Sequence, residues 1–231
     1  RLYGELNDSE SPGNLSGTIS DGSFTIALDT SPTGLKFRND KIRIKPGKSY
    51  RLTVISDKGL KAEGECTVPP DRNFMLQADT FSVLHQVPGY ISWREFNIDI
   101  SFKDIPDEIN YFRAAGTFFG YKTFPDPEKT ELTTQQLQFG KDLFTDKEAN
   151  VNGIIKSTTG LNTSFSYYDS AFVKIYLLNI EKSYYLYHKS LKDYNRGENP
   201  FSEVTPVYSN ITGGLGIFTS YTSDSLIYRL K

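Results

Sequence analysis

The sequence predicts a mainly β protein, in which an N-terminal antiparallel sandwich is followed by a larger antiparallel β domain with one helix near its end. The chain has 15 Tyr and 16 Phe against a single Trp, and such aromatic enrichment favours strands. Its 18 Gly and 11 Pro indicate many turns. Several short segments also alternate apolar and polar residues, which is typical of strands with one buried face.

Residues 1–70 are predicted to form the first domain. An Asp-Gly turn opens "DGSFTIAL" at 21–28, and the run from 41 to 70 alternates between strands and turns such as Pro46-Gly47. Neither Pro69 nor Pro70 can donate a hydrogen bond to a ladder, so the unit ends there. We interpret it as an immunoglobulin-like antiparallel sandwich. Because the chain starts in mid-pattern, we expect its first strands to be missing.

Residues 71–231 are predicted to form the second, β-rich domain. The segment 109–124 carries large residues on both faces, which predicts a central strand, and 170–180 predicts a second buried strand. The polar span 125–140 is interpreted as a long excursion with one helical turn. Tyrosines three and four residues apart predict one amphipathic helix at about 181–195, with Asn179 as its N-cap.

The bulk composition excludes several classes of function. The formal net charge is −2 and the basic residues are scattered, which argues against nucleic acid as a partner. The single cysteine, Cys66, cannot form an internal disulfide and is interpreted as a strand residue. No apolar run of about 18 residues predicts a membrane span. Without an initiator Met or a leader, we expect a mature or shortened chain.

No motif predicts catalysis or a cofactor. The two histidines, His85 and His188, have no Ser or Cys motif around them, although a site assembled from distant strands stays open. Asp104, Asp107 and Glu108 are interpreted as solvated loop charges. We therefore expect a protein that is not an enzyme and that has no cofactor.

One loop offers an alternative as a calcium site. Asp146, Glu148, Asn150 and Asn152 alternate before Gly153, like the oxygen-rich start of a calcium loop. The closing bidentate glutamate is missing, and Asn-Gly between two apolar runs is a strong hairpin signal. We predict a turn here and no metal site, with these four residues as the weaker calcium candidate.

Exposed aromatics are the remaining hint of function. Tyr167 and Tyr168 lie in a Tyr-rich stretch at 165–169, and tyrosine joins a large apolar face to a polar tip. Together with the excursion at 122–142, this stretch is our candidate binding surface for a nutrient or a partner protein. The alternative is that most of these aromatics pack the helix onto the sheet.

The end of the chain, taken as a whole, indicates a protein family more specifically than any of its short motifs does. Three glycines fall in four residues, but the β-forming "GIFTSYTSDSLIYRL" follows them, whereas a phosphate loop needs a helix there. The stretch "NPFSEVTPVYSNITGGLGIF" at 199–218 resembles the C-terminal signature of a Bacteroidota lipoprotein family, domain of unknown function 4249. Further pieces resemble that family in the same order: "IKPGKSYRLTV", "TVPP", "DIPDEINYFRAAG", "LFTDKEANVNG" and "YYLYHKSL".

The resemblance implies an exported protein, held at the outer membrane by an N-terminal lipid and facing either the periplasm or the cell surface. It also implies a TonB-dependent outer-membrane receptor as partner, and no known reaction. We expect a binding accessory of that receptor, with a peptide or glycan hydrolase and a structural or adhesion module as alternatives. "DSA" and "DSL" also resemble a short O-glycosylation pattern, at Ser170 and Ser225.

The family motif is interpreted as structural. We expect Asn210 to hydrogen-bond nearby backbone, the glycines to let the chain pass close to the preceding helix, and Phe218 to anchor the last strand. The residues that match the motif are Asn199, Pro200, Phe201, Ser209, Asn210, Gly213, Gly214, Gly216 and Phe218.

Overall fold

A computed structural model describes the chain at residues 13–32, 34–37, 41–86, 88–89, 93–125, 128–150, 152–163, 167–195 and 206–230. The regular elements of these residues are one α-helix, α1 at Lys182–Asn195, one 3₁₀ turn at Asp146–Glu148, and 16 strands. The strands are β1 Leu15–Ser20, β2 Thr25–Ala27, β3 Asp29–Ser31, β4 Gly34–Lys36, β5 Ser49–Ser56, β6 Lys61–Thr67, β7 Gln77–His85, β8 Trp93–Lys103, β9 Tyr111–Pro125, β10 Glu128–Gln136, β11 Gln138–Phe139, β12 Leu143–Thr145, β13 Ile154–Thr163, β14 Ser170–Ile180, β15 Ile211–Thr212 and β16 Tyr221–Arg229.

The chain divides into two compact units, and the first is built from both ends of the sequence. It contains Arg1–Asp71 together with Ile180–Thr222. Its sheet has the order β15-β6-β5-β1-β2, and β3 and β4 form a separate antiparallel pair. A small buried core lies within this unit: Ile19, Ile26, Ile42, Tyr50, Cys66 and Val68. The antiparallel order is compatible with the predicted immunoglobulin-like build.

The second unit contains Arg72–Asn179 and Ser223–Lys231. Its strands form two sheets, with the orders β10-β9-β14-β16 and β11-β13-β8-β7, and β12 also pairs with β9. Along β8 and β14, buried side chains alternate with more accessible ones, so each sheet turns one face to a shared apolar core. That core includes Ile98, Phe112 and Val173, each fully buried.

The predicted fold class is confirmed: the described residues are mainly β, the sheets are antiparallel, and one helix lies near the C-terminus. Two segments differ from the prediction in an instructive way. The span 125–140 is no excursion, because β10 pairs with β9 from Glu128 to Gln136, and its threonines supply the β-branched residues of that strand. Asn179 is a buried residue of β14 and not the N-cap, since α1 begins at Lys182.

The unit boundaries also differ from the predicted division. Residues 180–222 group with the first unit, whereas the sequence analysis placed them in the second domain. The reason is a pairing remote in sequence, since β15 forms an antiparallel ladder with β6 through Ile211 and Gly64. Among the described residues, no helix has both the length and the apolar composition that crossing a membrane requires.

Candidate functional site

The candidate site lies in the second unit, on the solvent-facing side of strands β7, β8 and β13. Because side chains alternate along a strand, the buried Phe96, Ile98 and Ile100 of β8 fix which residues point away from the core. The strand register aligns the opposite set in rows. We call this set the outer face: Gln77, Asp79, Phe81, Val83, His85, Trp93, Glu95, Asn97, Asp99, Ser101, Lys156, Thr158 and Gly160.

Strand β7 reverses the usual arrangement of a half-buried strand. Phe81 is 64% exposed and Val83 37% exposed on the outer face. The opposite face of the same strand carries Thr80 and Ser82 at its centre, with Ala78 and Leu84 on either side of them. There Thr80 donates to the Tyr228 hydroxyl at 3.1 Å, and Ser82 accepts from Arg94 at 3.1 Å. A strand serving packing alone would turn its large apolar residues inward. We therefore take the outer face as the candidate site.

An open concavity of about 790 Å³ lies at one end of the outer face. Its floor is polar, and its lining side chains come from all three strands: Gln77, Asp79, Asp99, Ser101, Lys156 and Thr158. Asp79 stands directly opposite Asp99 across the β7–β8 pair, and Asp99 opposite Thr158 across the β8–β13 pair. The floor therefore offers carboxylate, amide, hydroxyl and ammonium groups on three neighbouring strands.

The two carboxylates are held in place by short hydrogen bonds. Asp99 Oδ1 accepts from Thr158 Oγ1 at 2.6 Å, and Asp79 Oδ1 accepts from the Thr80 backbone N–H at 2.8 Å. Neither aspartate makes an ion pair with another described residue. Like charges facing each other across a strand pair destabilise the sheet, so this pair is a local cost to folding.

The other end of the outer face is aromatic. The rings of His85 and Trp93 stack at a centroid distance of 4.9 Å with an interplanar angle of 8°. His85 Nε2 lies 3.1 Å from Glu95 Oε2. Phe81 lies four residues along the strand from His85, which is about 13 Å at 3.3 Å per residue. The outer face thus combines separated aromatic surfaces with polar side chains between and beside them.

Two groups of the outer face are of the types that catalysis uses, His85 and the pair Asp79 and Asp99. His85 contacts Trp93 and Glu95, and neither of them is a hydroxyl or thiol nucleophile that an imidazole base activates. Asp79 and Asp99 form the carboxylate pair that glycoside hydrolysis requires. Both are exposed on an open face, which does not exclude water from a reacting bond.

The structure separates the two tyrosines of the predicted binding surface. Tyr168 is a packing residue, because it lies against the core with its ring 5.4 Å from that of Phe118 and occupies the space where a Cβ on Gly120 would stand. Tyr167 is 45% exposed, and the ammonium group of Lys122 lies 5.8 Å from its ring centroid. Of these two tyrosines, Tyr167 is the one whose ring is exposed to a partner.

In the loop of the calcium candidates, side chains serve the local turn. Glu148 closes a capping box by accepting from the N–H and the hydroxyl of Thr145, and it also accepts from Lys141 at 2.7 Å. Burial works to raise the pKa of Glu148, but the hydrogen bonds from Lys141 and Thr145 outweigh it and lower the pKa. Asn150 Oδ1 accepts from the backbone N–H groups of Asn152 and Ile154.

The 146–153 segment is thus a turn, as the preferred interpretation predicts, but its flanking strands do not form a hairpin with each other. Strand β12 pairs with β9, and β13 pairs with β8. Asp146 lies near Asp104, whose pKa is raised by burial and further by the Asp146 carboxylate. Across the described ranges, no three His, Cys, Asp or Glu side chains are grouped so that they could hold a metal ion.

The described part of the family motif ties the chain to the sheet of the first unit, and we call residues 209–218 the clasp. Asn210 brackets Phe218 by accepting from its N–H at 2.9 Å and donating to its carbonyl at 2.8 Å. Phe218 packs against the core of that unit. Ser209 Oγ accepts from the Ile211 N–H at 3.2 Å. Asn199, Pro200 and Phe201 lie outside the described residues.

The motif glycines serve a strand and not the helix, which corrects the prediction. Gly213 has φ +78°, and a Cβ at this position would stand 2.1 Å from the Lys61 carbonyl oxygen of β6. Gly216 has φ +126°, while a Cβ on Gly214 would make only ordinary contacts. The chain passes close to β6 because β15 pairs with that strand, which periodicity alone could not reveal.

Glu181 makes a second set of hydrogen bonds within the same unit. The sequence does not predict this role. Its carboxylate accepts from the Thr67 N–H of β6, from Thr219 Oγ1 at 2.8 Å and from the Ser220 N–H at 3.0 Å. The nearby Cys66 thiol is buried, and burial together with the Glu181 charge raises its pKa to about 12. A glutamate that follows a buried strand and precedes a tyrosine-rich helix carries no recognisable sequence signal for this role.

The two serines of the O-glycosylation pattern differ in accessibility. Ser170 begins β14 and is half-buried, whereas Ser225 is exposed on β16.

The comparisons place the chain in one family. A family model described as "Domain of unknown function (DUF4249)" matches residues 9–227. Neither a curated protein nor a solved structure matches the chain. Because the family model covers nearly the whole sequence, the chain belongs to the DUF4249 domain family.

Proposed function

We propose that this protein is a non-catalytic binding accessory at the outer membrane of a Bacteroidota cell. In this proposal it is an exported lipoprotein, anchored by an N-terminal lipid, that works with a TonB-dependent receptor. The observation that carries the binding role is the reversed strand β7, which exposes Phe81 and Val83 beside a polar concavity. Such a surface has little value for folding and suits the capture of a ligand.

A comparison of polar side chains elsewhere in the chain with those of the outer face also supports the accessory role. Glu181 and Asn210 are committed to backbone groups of the first unit, while Asp79 and Asp99 face the concavity. We place the ligand site on the outer face and leave the receptor contact to experiment, with the exposed Tyr167 as one candidate.

The test is an affinity purification of the full-length, lipidated protein from its native outer membrane, followed by mass spectrometry. We expect a TonB-dependent receptor in stoichiometric amount. The matched control is the same tag on an unrelated lipoprotein of the same membrane, which should not recover that receptor. Recovery of the protein alone, with the membrane solubilised in several mild detergents, would overturn the accessory role.

A hydrolase is the second candidate, and the opposed Asp79 and Asp99 are the observation that favours it. If these carboxylates were acid and nucleophile, purified protein would release shorter products from glycans, and Asp99→Asn would abolish the release. We expect no products from either protein, as judged by chromatography of reducing ends.

A further inference from the structure

Resting on the proposed function, we infer that the outer face binds a neutral oligosaccharide, with sugar hydroxyls in the polar concavity and a sugar ring against Phe81. The first argument is the chemistry of the concavity. An apolar ligand would need an enclosed and mainly apolar pocket. This concavity is open, and its lining side chains are mostly polar, so it suits a ligand that stays partly hydrated.

The charges of the lining side chains further restrict the class of ligand that the concavity can bind. Asp79 and Asp99 are acceptors, and Lys156 is a donor in the same floor. A polyanionic ligand would meet two carboxylates, and a polycationic one would meet the ammonium group of Lys156. A sugar hydroxyl both donates and accepts, so a neutral polyhydroxylated chain can satisfy all three groups at once.

The hydrogen bonds within the floor prepare it for such a ligand. Thr158 and the Thr80 backbone N–H each occupy one oxygen of a carboxylate, Asp99 and Asp79 respectively. The second oxygen of each remains an acceptor for a ligand hydroxyl. Because these carboxylates are already oriented, less conformational entropy is lost when the ligand binds.

The aromatic contact continues the same rows of residues. Phe81 follows Asp79 by two positions on β7, so its ring stands on the same face about 7 Å further along the strand. Its row continues with Asn97 and then Gly160, where a Cβ would meet no atom within 4 Å. A sugar ring has an apolar C–H face and a polar rim, which fits a phenyl ring flanked by an amide and open space.

The experiment measures binding of the purified chain to a printed array of neutral gluco-, manno-, galacto- and xylo-oligosaccharides. The array also carries a set of decapeptides rich in Lys and Arg, and hits are quantified by calorimetry. We expect binding to one oligosaccharide series. Phe81→Ala and Asp99→Ala should each weaken that binding about tenfold or more, because each removes a direct contact.

Two matched variants control for general effects. Phe24→Ala is the control for Phe81→Ala, because Phe24 is 55% exposed but lies in the first unit. Asp193→Ala is the control for Asp99→Ala, because Asp193 is an exposed aspartate on α1. Both should bind as the wild type does. Circular dichroism and the melting temperature of every variant establish that the chain is folded.

The outcomes separate the inference from the function on which it rests. Binding of the basic peptides in place of oligosaccharides would overturn the inference, and so would oligosaccharide binding that Phe81→Ala and Asp99→Ala leave unchanged. A chain that binds no oligosaccharide but recovers the receptor keeps the accessory role and loses the sugar ligand. A chain that binds oligosaccharide but recovers no receptor keeps the sugar ligand and loses the accessory role.

Discussion

The clasp around Asn210 and the outer face around Asp99 use the same kinds of polar side chain in opposite ways. Asn210 and Glu181 direct their hydrogen bonds to backbone groups and a hydroxyl of their own unit, and they tie a late segment to an early sheet. Asp79 and Asp99 stand opposite each other with no described ion pair and line an open concavity. The comparison teaches that a polar group committed to the chain stabilises the fold, whereas one left facing solvent at a cost to stability is available for a ligand.

The clasp should be the most sensitive point. Asn210→Ala removes both hydrogen bonds to Phe218 and leaves a partly buried N–H and C=O without them, so we expect a loss of about 2–4 kcal/mol in the free energy of unfolding. Urea denaturation followed by circular dichroism measures it. The control is Asn152→Ala, at an exposed turn position, with a change below about 0.5 kcal/mol. Equal effects of the two variants would refute the clasp.

The close approach of the motif to β6 is tested by two glycines of similar φ. Gly213→Ala places a Cβ against the Lys61 carbonyl, while Gly22, with φ +86°, has nothing within 4 Å. Gly22→Ala therefore reports the backbone strain alone, about 1 kcal/mol. We expect Gly213→Ala to cost about 2 kcal/mol more than this in thermal or urea unfolding, because backbone must shift to relieve the clash. A difference near zero would show that β15 lies further from β6 than the structure has it.

The capping box of the second unit should show a smaller effect that depends on pH. Glu148→Gln removes the charge that Lys141 and Thr145 stabilise, so we expect a loss of about 1 kcal/mol at pH 7. Since the folded pKa of Glu148 is lowered, its contribution is present above the unfolded value near 4.5 and is lost as the pH falls through the folded value. Urea unfolding of both proteins between pH 3 and pH 7 measures the gap. A gap that stays constant across this range would contradict the assignment.

The outer face should respond with the opposite sign. Asp79→Asn removes the like-charge repulsion with Asp99 but keeps an oxygen for the Thr80 N–H, so we expect a gain of a few tenths of a kcal/mol at low salt. The gain should shrink as salt is added, because exposed charges are screened. Parallel urea titrations at about 20 mM and 500 mM salt test both statements. A destabilised variant would mean that Asp79 serves the fold, and the contrast with Asn210 would fail.

The sequence predicted the parts of this molecule that depend on local pattern. Strands such as 170–180 and the tyrosine-rich helix follow from periodicity, and the role of Asn210 as a backbone partner follows from its side chain. The pairing of β15 with β6 was out of reach, because it joins residues remote in sequence through two-residue strands that carry no periodic signal.

The candidate site was missed for a different reason. Asn97, Asp99 and Ser101 alternate with buried residues, a pattern that indicates a solvent-facing side of the strand, but polar residues on such a side do not by themselves indicate a ligand. The informative segment is "QADTFSVLH", where one face of the strand carries Phe81 and Val83 and the other carries Thr80 and Ser82 between Ala78 and Leu84. Only the register of β7 on β8 shows which of these faces is turned to the core.

The clasp has a consequence for how the protein is made. Asn210 donates to the carbonyl of Glu65, a residue 145 positions earlier, so the first unit cannot be completed until almost the entire chain has emerged. Until then the outer edge of β6 lacks its β15 neighbour and can pair with strands of other chains. If the protein is exported, as we propose, β15 would act as a check on completeness, since a chain cut short before residue 211 would keep this edge open to chaperones and proteases.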